Sequence, residues 1–384
     1  MHSETSFFEL KPLDYYKSMN PPQFQQPKEL FHFSFDEHRH YIPDDSELRQ
    51  YTPMDTTIPL TDGYDRLVTR DPTVNEHLDH LLKSVQDQSI LQKLQVKSGA
   101  PLIVTWRGIM TKILTAPYDN RDEWELRVIK HKGVHYMEER LTAAKVDREK
   151  NMSQQDRLQS FMGYRFESLS TIPLVRMTTG EVLSHPTQQA LDYRRDDIVN
   201  TNCQFVSVFK TKLGATTLLM GAEVDCVGAN TRDYIELKTH RVLRNQSQRS
   251  SFERHKLLKI WAQSFLAGIP RVIVGFRDDE GYVRAIEEFK TLEIPRAVRK
   301  PPERGGAVWD PTIMLTWCEQ FLKWLTTAAG LKDDWQKVYR LRFVRNGVEL
   351  SEETGILSGD MSNENSVTSS DGGSFLPEWF VKDG

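Results

Sequence analysis

The chain is poor in cysteine, in net charge and in long apolar runs, and each shortage excludes something. Only Cys203, Cys226 and Cys318 occur in 384 residues. They lack zinc-ligand spacing and make a poor disulfide framework, so a reducing compartment is expected. No apolar stretch approaches the roughly 20 residues that span a bilayer, so no membrane segment is expected. The opening MHSETSFFELKPLDYY has neither a basic start nor an apolar core and does not read as a signal peptide. Fifty Lys and Arg face 54 Asp and Glu, a net charge of −4. That balance argues against a protein that coats nucleic acid by bulk charge, while leaving room for a local basic groove.

What is present supports a substantial core. Hydrophobic residues make up 38% of the chain and aromatics 10%, which speaks against global disorder. The length allows two or three domains or one large mixed domain. The first 25 residues, with several prolines and glutamines, read as a flexible arm, and 26–350 as a single mixed α/β domain. The Ser-, Gly- and acid-rich 351–384 reads as a mobile tail, although Phe375, Trp379 and Phe380 could dock back. Residues 28–75 look folded but irregular. Helical spacing appears over about 75–95, after Trp106, over Gln155–Leu169, over 250–267 and over 311–329. Strands are expected at Pro101–Trp106, Phe205–Leu213, Thr216–Cys226, Tyr234–Thr239 and Val338–Val344. Two hairpins are expected, turning at His131-Lys132-Gly133 and at Asp278-Asp279-Glu280-Gly281.

The chemistry concentrates in GAEVDCVGANTRDYIELKT. Glu223 and Asp225 are two apart on an expected strand, so they would share a face, with Val224 turned into apolar packing. Glu236 and Lys238 repeat that geometry, with Leu237 turned inward. If the two strands pair, three carboxylates and one ammonium converge. Close carboxylates repel unless a cation sits among them. Oxygen ligands suit Mg²⁺ or Mn²⁺ better than zinc. Two such ions can clamp the attacking and leaving oxygens of a phosphoryl transfer, and a neighbouring Lys can hold the water or offset developing charge. This is the logic of the PD-(D/E)xK nucleases. On spacing alone the same residues read better as a solvated sheet face. The strands around them are very apolar, however, so the acids are expected to be half-buried, where charge needs a purpose.

Three further motifs accompany this set. In GYRFE, a helix would set Glu167 one turn from Gly163. In Trp106-Arg107-Gly108, an arginine at a strand-to-helix junction suits a phosphate. In WAQSFLAGIPR, Gln263 is an amide in an apolar helix and needs a partner.

Together WRG, GYRFE, GAEVDC, YIELKT and QSFLAGIPR resemble the DXO family of eukaryotic RNA 5′-end quality-control nucleases. The likeness is nearest to the fungal nuclear branch that partners the nuclear 5′→3′ exoribonuclease, and it spans roughly residues 26–350. It implies two packed mixed β-sheets with surrounding helices and a deep active-site pocket. It implies metal ligation by Glu167, Glu223, Asp225, Glu236 and the Leu237 carbonyl, with Mg²⁺ or Mn²⁺, two ions, as cofactor. Lys238 and Gln263 would act with Glu223 and Asp225 at the water and the scissile phosphate, and Trp106, Arg107 and Gly108 would contact RNA. Lys210-Thr211 stands where the family usually has Arg-Ser or Arg-Thr, which keeps the charge and loses the bidentate fork. The resemblance also implies hydrolysis of 5′-triphosphate, unmethylated-cap and NAD-cap RNA ends, 5′→3′ exonuclease action in some members, and a nuclear location, with a cytoplasmic one left open. The basic run Arg241, Arg244, Arg249, Arg254, Lys256 and Lys259 reads either as a path for the terminal nucleotides or as a solvated helix face. Two rival functions stay open at this point: a stabilising partner of the exoribonuclease, and a DNA-directed nuclease of the same core class.

Overall fold

The structure is a computed structural model describing residues 6–87, 90–91, 94, 100–140, 143–174, 188–228, 233–299, 308–353 and 373–383. Two mixed sheets organise it. The larger has ten strands in the spatial order β1 (Ser6–Glu9), β16 (Gly347–Glu352), β15 (Tyr339–Val344), β6 (Trp124–His131), β7 (Val134–Glu139), β5 (Leu102–Trp106), β10 (Thr216–Glu223), β9 (Gln204–Leu213), β2 (Lys28–Phe35) and β3 (Tyr41–Ile42). The smaller has six in the order β14 (Val283–Lys290), β13 (Arg271–Arg277), β12 (Tyr234–Arg241), β11 (Cys226–Val227), β4 (Arg49–Tyr51) and β8 (Thr171–Pro173).

The strand sequences explain their places. In β10, TTLLMGAE is apolar almost throughout and lies inside the large sheet between β5 and β9, covered on both faces. The β14 sequence VRAIEEFK is charged at half of its positions and forms an edge of the small sheet. One core cluster joins residues of both sheets, among them Leu218 and Met220 with Val272, Val274 and Phe276. The same cluster takes in the helices α3 (Arg107–Thr115), α5 (Leu257–Ala267) and α6 (Pro311–Lys323). On the other face of the large sheet, helix α2 (Asp79–Asp87) buries Leu81, Leu82 and Val85 against Val104, Val208 and Leu219. On the other face of the small sheet, helix α4 (Gln154–Leu169) buries Met162, Phe166 and Leu169 against Ile235, Leu237 and Ile273.

The expected elements over 100–350 are present to within a few residues, except that Thr216–Cys226 is divided between two sheets, and three differences lie outside that span. First, 28–75 is less irregular than expected, since Lys28–Phe35 is an eight-residue strand paired with β9. Second, the flexible-arm expectation for 1–25 does not hold over residues 6–25. Strand β1 pairs antiparallel with β16, and Phe8 lies 5.2 Å from Trp317. Tyr16 is 1% exposed, and Phe24 stacks 4.6 Å from Phe265. Aromatic burial against α5 and α6 outweighs the proline-rich composition here. Third, part of the expected mobile tail is docked: Phe375, Leu376, Phe380 and Val381 are buried against the α2 side of the large sheet. Residues 1–5, 354–372 and 384, like parts of 88–99, lie outside the described residues.

Candidate active site

The two sheets meet where the acids lie. Strand β10 ends at Glu223, and the chain then leaves the large sheet. Val224 buries its side chain beside Phe205, and its amide donates to the Phe205 carbonyl at 3.1 Å. Asp225 follows, and Cys226–Val227 is already strand β11 of the small sheet, paired with β12. The expectation of one strand carrying both acids is therefore corrected. Glu223 closes one sheet, Asp225 opens on the other, and β10 does not pair with β12. Convergence comes from the step between sheets rather than from period-2 alternation.

On β12 the alternation holds. Leu237 is fully buried beneath α4, while Glu236 and Lys238 share the opposite face. The Lys238 ammonium donates to Glu236 Oε1 at 2.6 Å and to the Leu237 carbonyl at 2.9 Å, and reaches Asp225 Oδ2 at 3.4 Å. Three N–H groups thus meet three acceptors. Asp225 Oδ2 also accepts from the Leu237 amide at 2.6 Å. From the large sheet, Arg107 opens α3 and sends Nη1 to Glu236 Oε2 at 3.3 Å and Nη2 to the Glu223 carbonyl at 3.5 Å. Glu167 comes from α4, which packs on β12.

Two glycines seat the aromatic residues that precede site side chains. Gly221 lies beside Trp106 in the β10–β5 ladder, and a Cβ there would stand 2.6 Å from the Trp106 ring. Gly275 on β13 takes the Phe166 ring, which a Cβ would meet at 2.5 Å. Trp106 precedes Arg107 and Phe166 precedes Glu167, so each glycine lets a large ring lie flat on a sheet and sets the next residue at the junction. Trp106 Nε1 also donates to the His77 carbonyl at 3.3 Å.

The electrostatics follow from burial. Four carboxylates face two cations, Lys238 and Arg107, leaving an excess of two negative charges. Burial, with Asp225 beside it, holds Glu167 well above the ordinary carboxylate range. Burial raises Asp225 to about 7 against the pull of Lys238. Glu223 is the most solvent-open of the four, yet desolvation within the site raises it too. Burial also opposes charge on Glu236, but Lys238 and Arg107 outweigh it and hold that carboxylate low. Asp225 and Glu236 in turn outweigh desolvation at Lys238 and keep it protonated.

This donor set fits a hard divalent cation. Every donor is oxygen, two charges are uncompensated, and the Leu237 carbonyl supplies a neutral ligand. Among the described residues no three acids yet face a common point, because Glu236 and Asp225 are turned to Lys238 and Arg107.

The structure therefore brings together Glu167, Glu223, Asp225, Glu236, Leu237, Lys238 and Arg107, with Trp106 as the support of Arg107. Gly108 is exposed on the first turn of α3. Gln263 is half-buried on α5 and makes no hydrogen bond to the group. Lys210 and Thr211 lie on β9, and Thr211 Oγ1 donates to the Gln25 carbonyl. Much of the basic run is spent on ion pairs: Arg244 with Asp279 at 2.9 Å, Arg249 with Glu287 at 3.4 Å and Lys259 with Asp119 at 2.7 Å.

Sequence reasoning missed a cluster beside Glu223. Glu76 binds Arg39 through both oxygens, at 2.9 and 3.0 Å, and Arg70 at 3.1 Å. Arg39 holds a left-handed backbone, φ 67°, and its guanidinium lies 3.7 Å from the Phe35 ring centroid. A non-glycine residue in that region has no sequence signature. The charges of Arg39 and Arg70 both bear on Glu223.

Two mixed sheets, an acid pair at the step between them and an acid–lysine pair on the adjoining strand define a metal-dependent nuclease core of the PD-(D/E)xK kind. A family model described as RAI1-like PD-(D/E)XK nuclease matches residues 25–381, and the chain belongs to that family. It is 33% identical over 345 residues to Decapping nuclease RAI1 of Neurospora crassa, covering 86% of this chain and 80% of the relative. It is 35% identical over 381 residues to the Decapping and exoribonuclease protein of Bos taurus, covering 94% and 86%. A crystal structure of Candida albicans Rai1 in complex with pU5 and Mn²⁺ superposes with a TM-score of 0.75 at 29% identity, covering 90% of this chain and 93% of that one.

Proposed function

We propose that this nuclease is a metal-dependent hydrolase of RNA 5′ ends, acting on triphosphate, unmethylated-cap and NAD-cap termini and cutting 5′→3′. The observation that carries the reading is the convergence of Glu167, Glu223, Asp225 and Glu236 with Lys238 and Arg107 where the two sheets meet. The relatives' names and the pU5 and Mn²⁺ of the Candida structure support RNA and a divalent ion.

Glu167, Glu223, Asp225, Glu236 and the Leu237 carbonyl would hold two ions, Mg²⁺ or Mn²⁺. When bound, they would supply Lewis acidity at the phosphate and charge for its developing anion. The chain's own residues do the rest. Lys238 stays protonated, so its role is to orient a water and offset charge rather than to accept a proton. Arg107, placed between Glu236 and the Glu223 carbonyl, can turn its guanidinium toward a phosphate oxygen. Gln263, free of protein hydrogen bonds among the described residues, can give its amide to the same phosphate or water. Because the scissile phosphate sits at the acids, one site serves leaving groups as different as pyrophosphate and a cap nucleotide.

The test incubates the purified protein with Mg²⁺ or Mn²⁺ and end-labelled RNAs bearing each 5′ group, beside a matched 5′-phosphorylated DNA. Product size identifies the bond cut. Products from RNA that vanish with EDTA and in Glu223→Ala with Asp225→Ala are expected. Cleavage of the DNA alone would overturn the reading. We further propose a nuclear location and association with the nuclear 5′→3′ exoribonuclease; pull-down at micromolar concentration checks the latter, and no complex would favour a stand-alone enzyme.

A further inference from the structure

Behind the Trp106–Arg107 junction runs a chain of polar contacts, none of them to the acids of the site. Trp106 Nε1 donates to the His77 carbonyl at 3.3 Å, His77 Nδ1 lies 2.8 Å from Glu138 Oε2, and Arg127 Nη1 donates to Glu138 Oε1 at 3.1 Å. Arg127 Nη2 then donates to the carbonyl of Gly373, at the head of the docked segment 373–383. We propose that docking of this C-terminal segment sets the position of Arg107 through Arg127, Glu138 and His77, which are positioning residues for the hydrolysis. The inference rests on the reading of Arg107 as a phosphate-contacting group and adds a control on it from the far end of the chain.

Three observations carry it. The first is continuity. Every link from Gly373 to Trp106 is a hydrogen bond or an ion pair. The sheet closes the path, since Met137 on β7 pairs with Thr105 on β5, and Glu138 and Trp106 are the residues that follow them. The two oxygens of Glu138 are divided between Arg127 and His77, so a shift at one partner is felt at the other.

The second is cost. Arg127 and Glu138 are each 4% exposed. An ion pair this deep is often no more stable than apolar residues of the same volume, and what it supplies here is one fixed arrangement. His77 adds backbone strain, with a left-handed φ of 46°. Of the three non-glycine residues in that region among the described residues, two, Arg39 and His77, lie beside the site. Such strain persists where the surroundings over-determine it. Asn75 Oδ1 accepts from the His77 amide at 3.1 Å and Glu138 holds the ring, which aims the carbonyl at the indole.

The third is the segment itself. Phe375 lies 5.3 Å from the Arg127 guanidinium, and Phe380 meets Tyr136, two residues before Glu138, at 5.6 Å between ring centres. Undocking would bring water to Arg127 and weaken its hold on Glu138. The groups that face His77 among the described residues are Glu138 on β7, Asp79 at the start of α2 and, behind Glu138, Arg127. The Glu138 hydrogen bond acts most strongly and, with Asp79, lifts the imidazole above its usual range against burial and Arg127. The relay is therefore tightest at low pH and slackens as pH rises through that raised value.

The experiment compares Glu138→Gln with Phe375→Ala plus Leu376→Ala in the full chain, on 5′-triphosphate RNA with Mn²⁺, from about pH 6 to 9. Each should lower kcat about tenfold with KM within about twofold, because Arg107 acts on charge that develops in the transition state. Combined, they should lower kcat no further than either does, as steps on one path. The wild-type advantage over Glu138→Gln should shrink as pH rises. Melting curves check folding, and His77→Asn, which suits the left-handed backbone, replaces Glu138→Gln if that variant does not fold. Wild-type kcat in either variant, strict additivity, or a loss constant across pH would overturn the proposal. The Trp106 indole N–H signal in NMR, assigned with Trp106→Phe, reads the relay apart from turnover. It should shift in both variants and, in wild type, titrate above pH 6.5. An unmoved signal overturns the proposal. A shifted signal in a protein that cleaves no RNA keeps the relay and sinks the functional reading.

Discussion

Gly221→Ala tests whether the glycine under Trp106 sets the position of Arg107. A Cβ at 221 would stand 2.6 and 2.7 Å from two carbons of the six-membered Trp106 ring, and 3.4 Å from Leu81. Favourable carbon contacts begin near 3.5 Å, so the indole must withdraw by about 1 Å. Overpacking of this kind costs about 1–3 kcal/mol. The Trp106–His77 bond, already at 3.3 Å, would break and add up to about 1 kcal/mol. Arg107 is one residue further on, and its contacts to Glu236 and the Glu223 carbonyl, at 3.3 and 3.5 Å, already stand at the outer limit of hydrogen-bond distance, so a further shift would break them. A displacement near 1 Å at such a group can cost about 100-fold in rate. The expected result is a melting temperature a few degrees lower and kcat/KM for 5′-triphosphate RNA down about 100-fold. Trp106→Leu removes the clashing ring atoms, so in the Gly221→Ala background it should cost less stability than in wild type. The double-mutant cycle would then show a favourable coupling of about 1 kcal/mol or more. Wild-type melting and turnover in Gly221→Ala, or strict additivity with Trp106→Leu, would refute the reasoning.

The same argument applies at Gly275→Ala, where the Phe166 ring must move. Here the loss should show as a raised half-saturating Mn²⁺ concentration, because Glu167 follows Phe166. His135 is 2% exposed, and burial depresses it to about 4. Between that value and its ordinary 6.5 the unfolded chain binds the proton that the folded one refuses. Its contribution is therefore present above about pH 6.5 and lost as pH falls toward 4, up to about 3 kcal/mol; urea midpoints at pH 7.5 and 5 should draw together in His135→Leu. Arg127→Met should cost about 3 kcal/mol. It strips a buried cation from Glu138 at 3.1 Å and Glu353 at 3.4 Å and from the Gly373 carbonyl, so limited proteolysis should release the C-terminal segment first.

The residues of the site were legible, and their arrangement was legible in part. On β12 the alternation of Glu236, Leu237 and Lys238 follows from pleat geometry, and Leu237 is buried as that geometry requires. The Glu223–Asp225 pair looked alike in sequence and came together by another route, since nothing in GAEVDC marks where one strand ends and the chain changes sheet. Helical periodicity put Glu167 on a helix, but only the family resemblance put it in the site. Arg39, Arg70 and Glu76 were invisible because their meeting depends on a left-handed turn and on contacts between distant segments. The N-terminal segment was misread because composition weighs prolines and glutamines, whereas its docking rests on three spaced aromatics, Phe8, Tyr16 and Phe24, each meeting a ring far along the chain.

The pairing of β1 with β16 has a bearing on the order in which the large sheet closes during synthesis. The last acid of the site in sequence, Glu236, leaves the ribosome well before residues 339–352, which supply β15 and β16 to the large sheet. Until those strands arrive, β6 lacks its outer neighbour and the opening strand has nowhere to bind. A nascent chain that ends before β15 therefore carries the acids without the outer strands of the large sheet. The N-terminal strand thus takes its place only after β16 exists, so the outer edge of the large sheet is the last part of the frame to close.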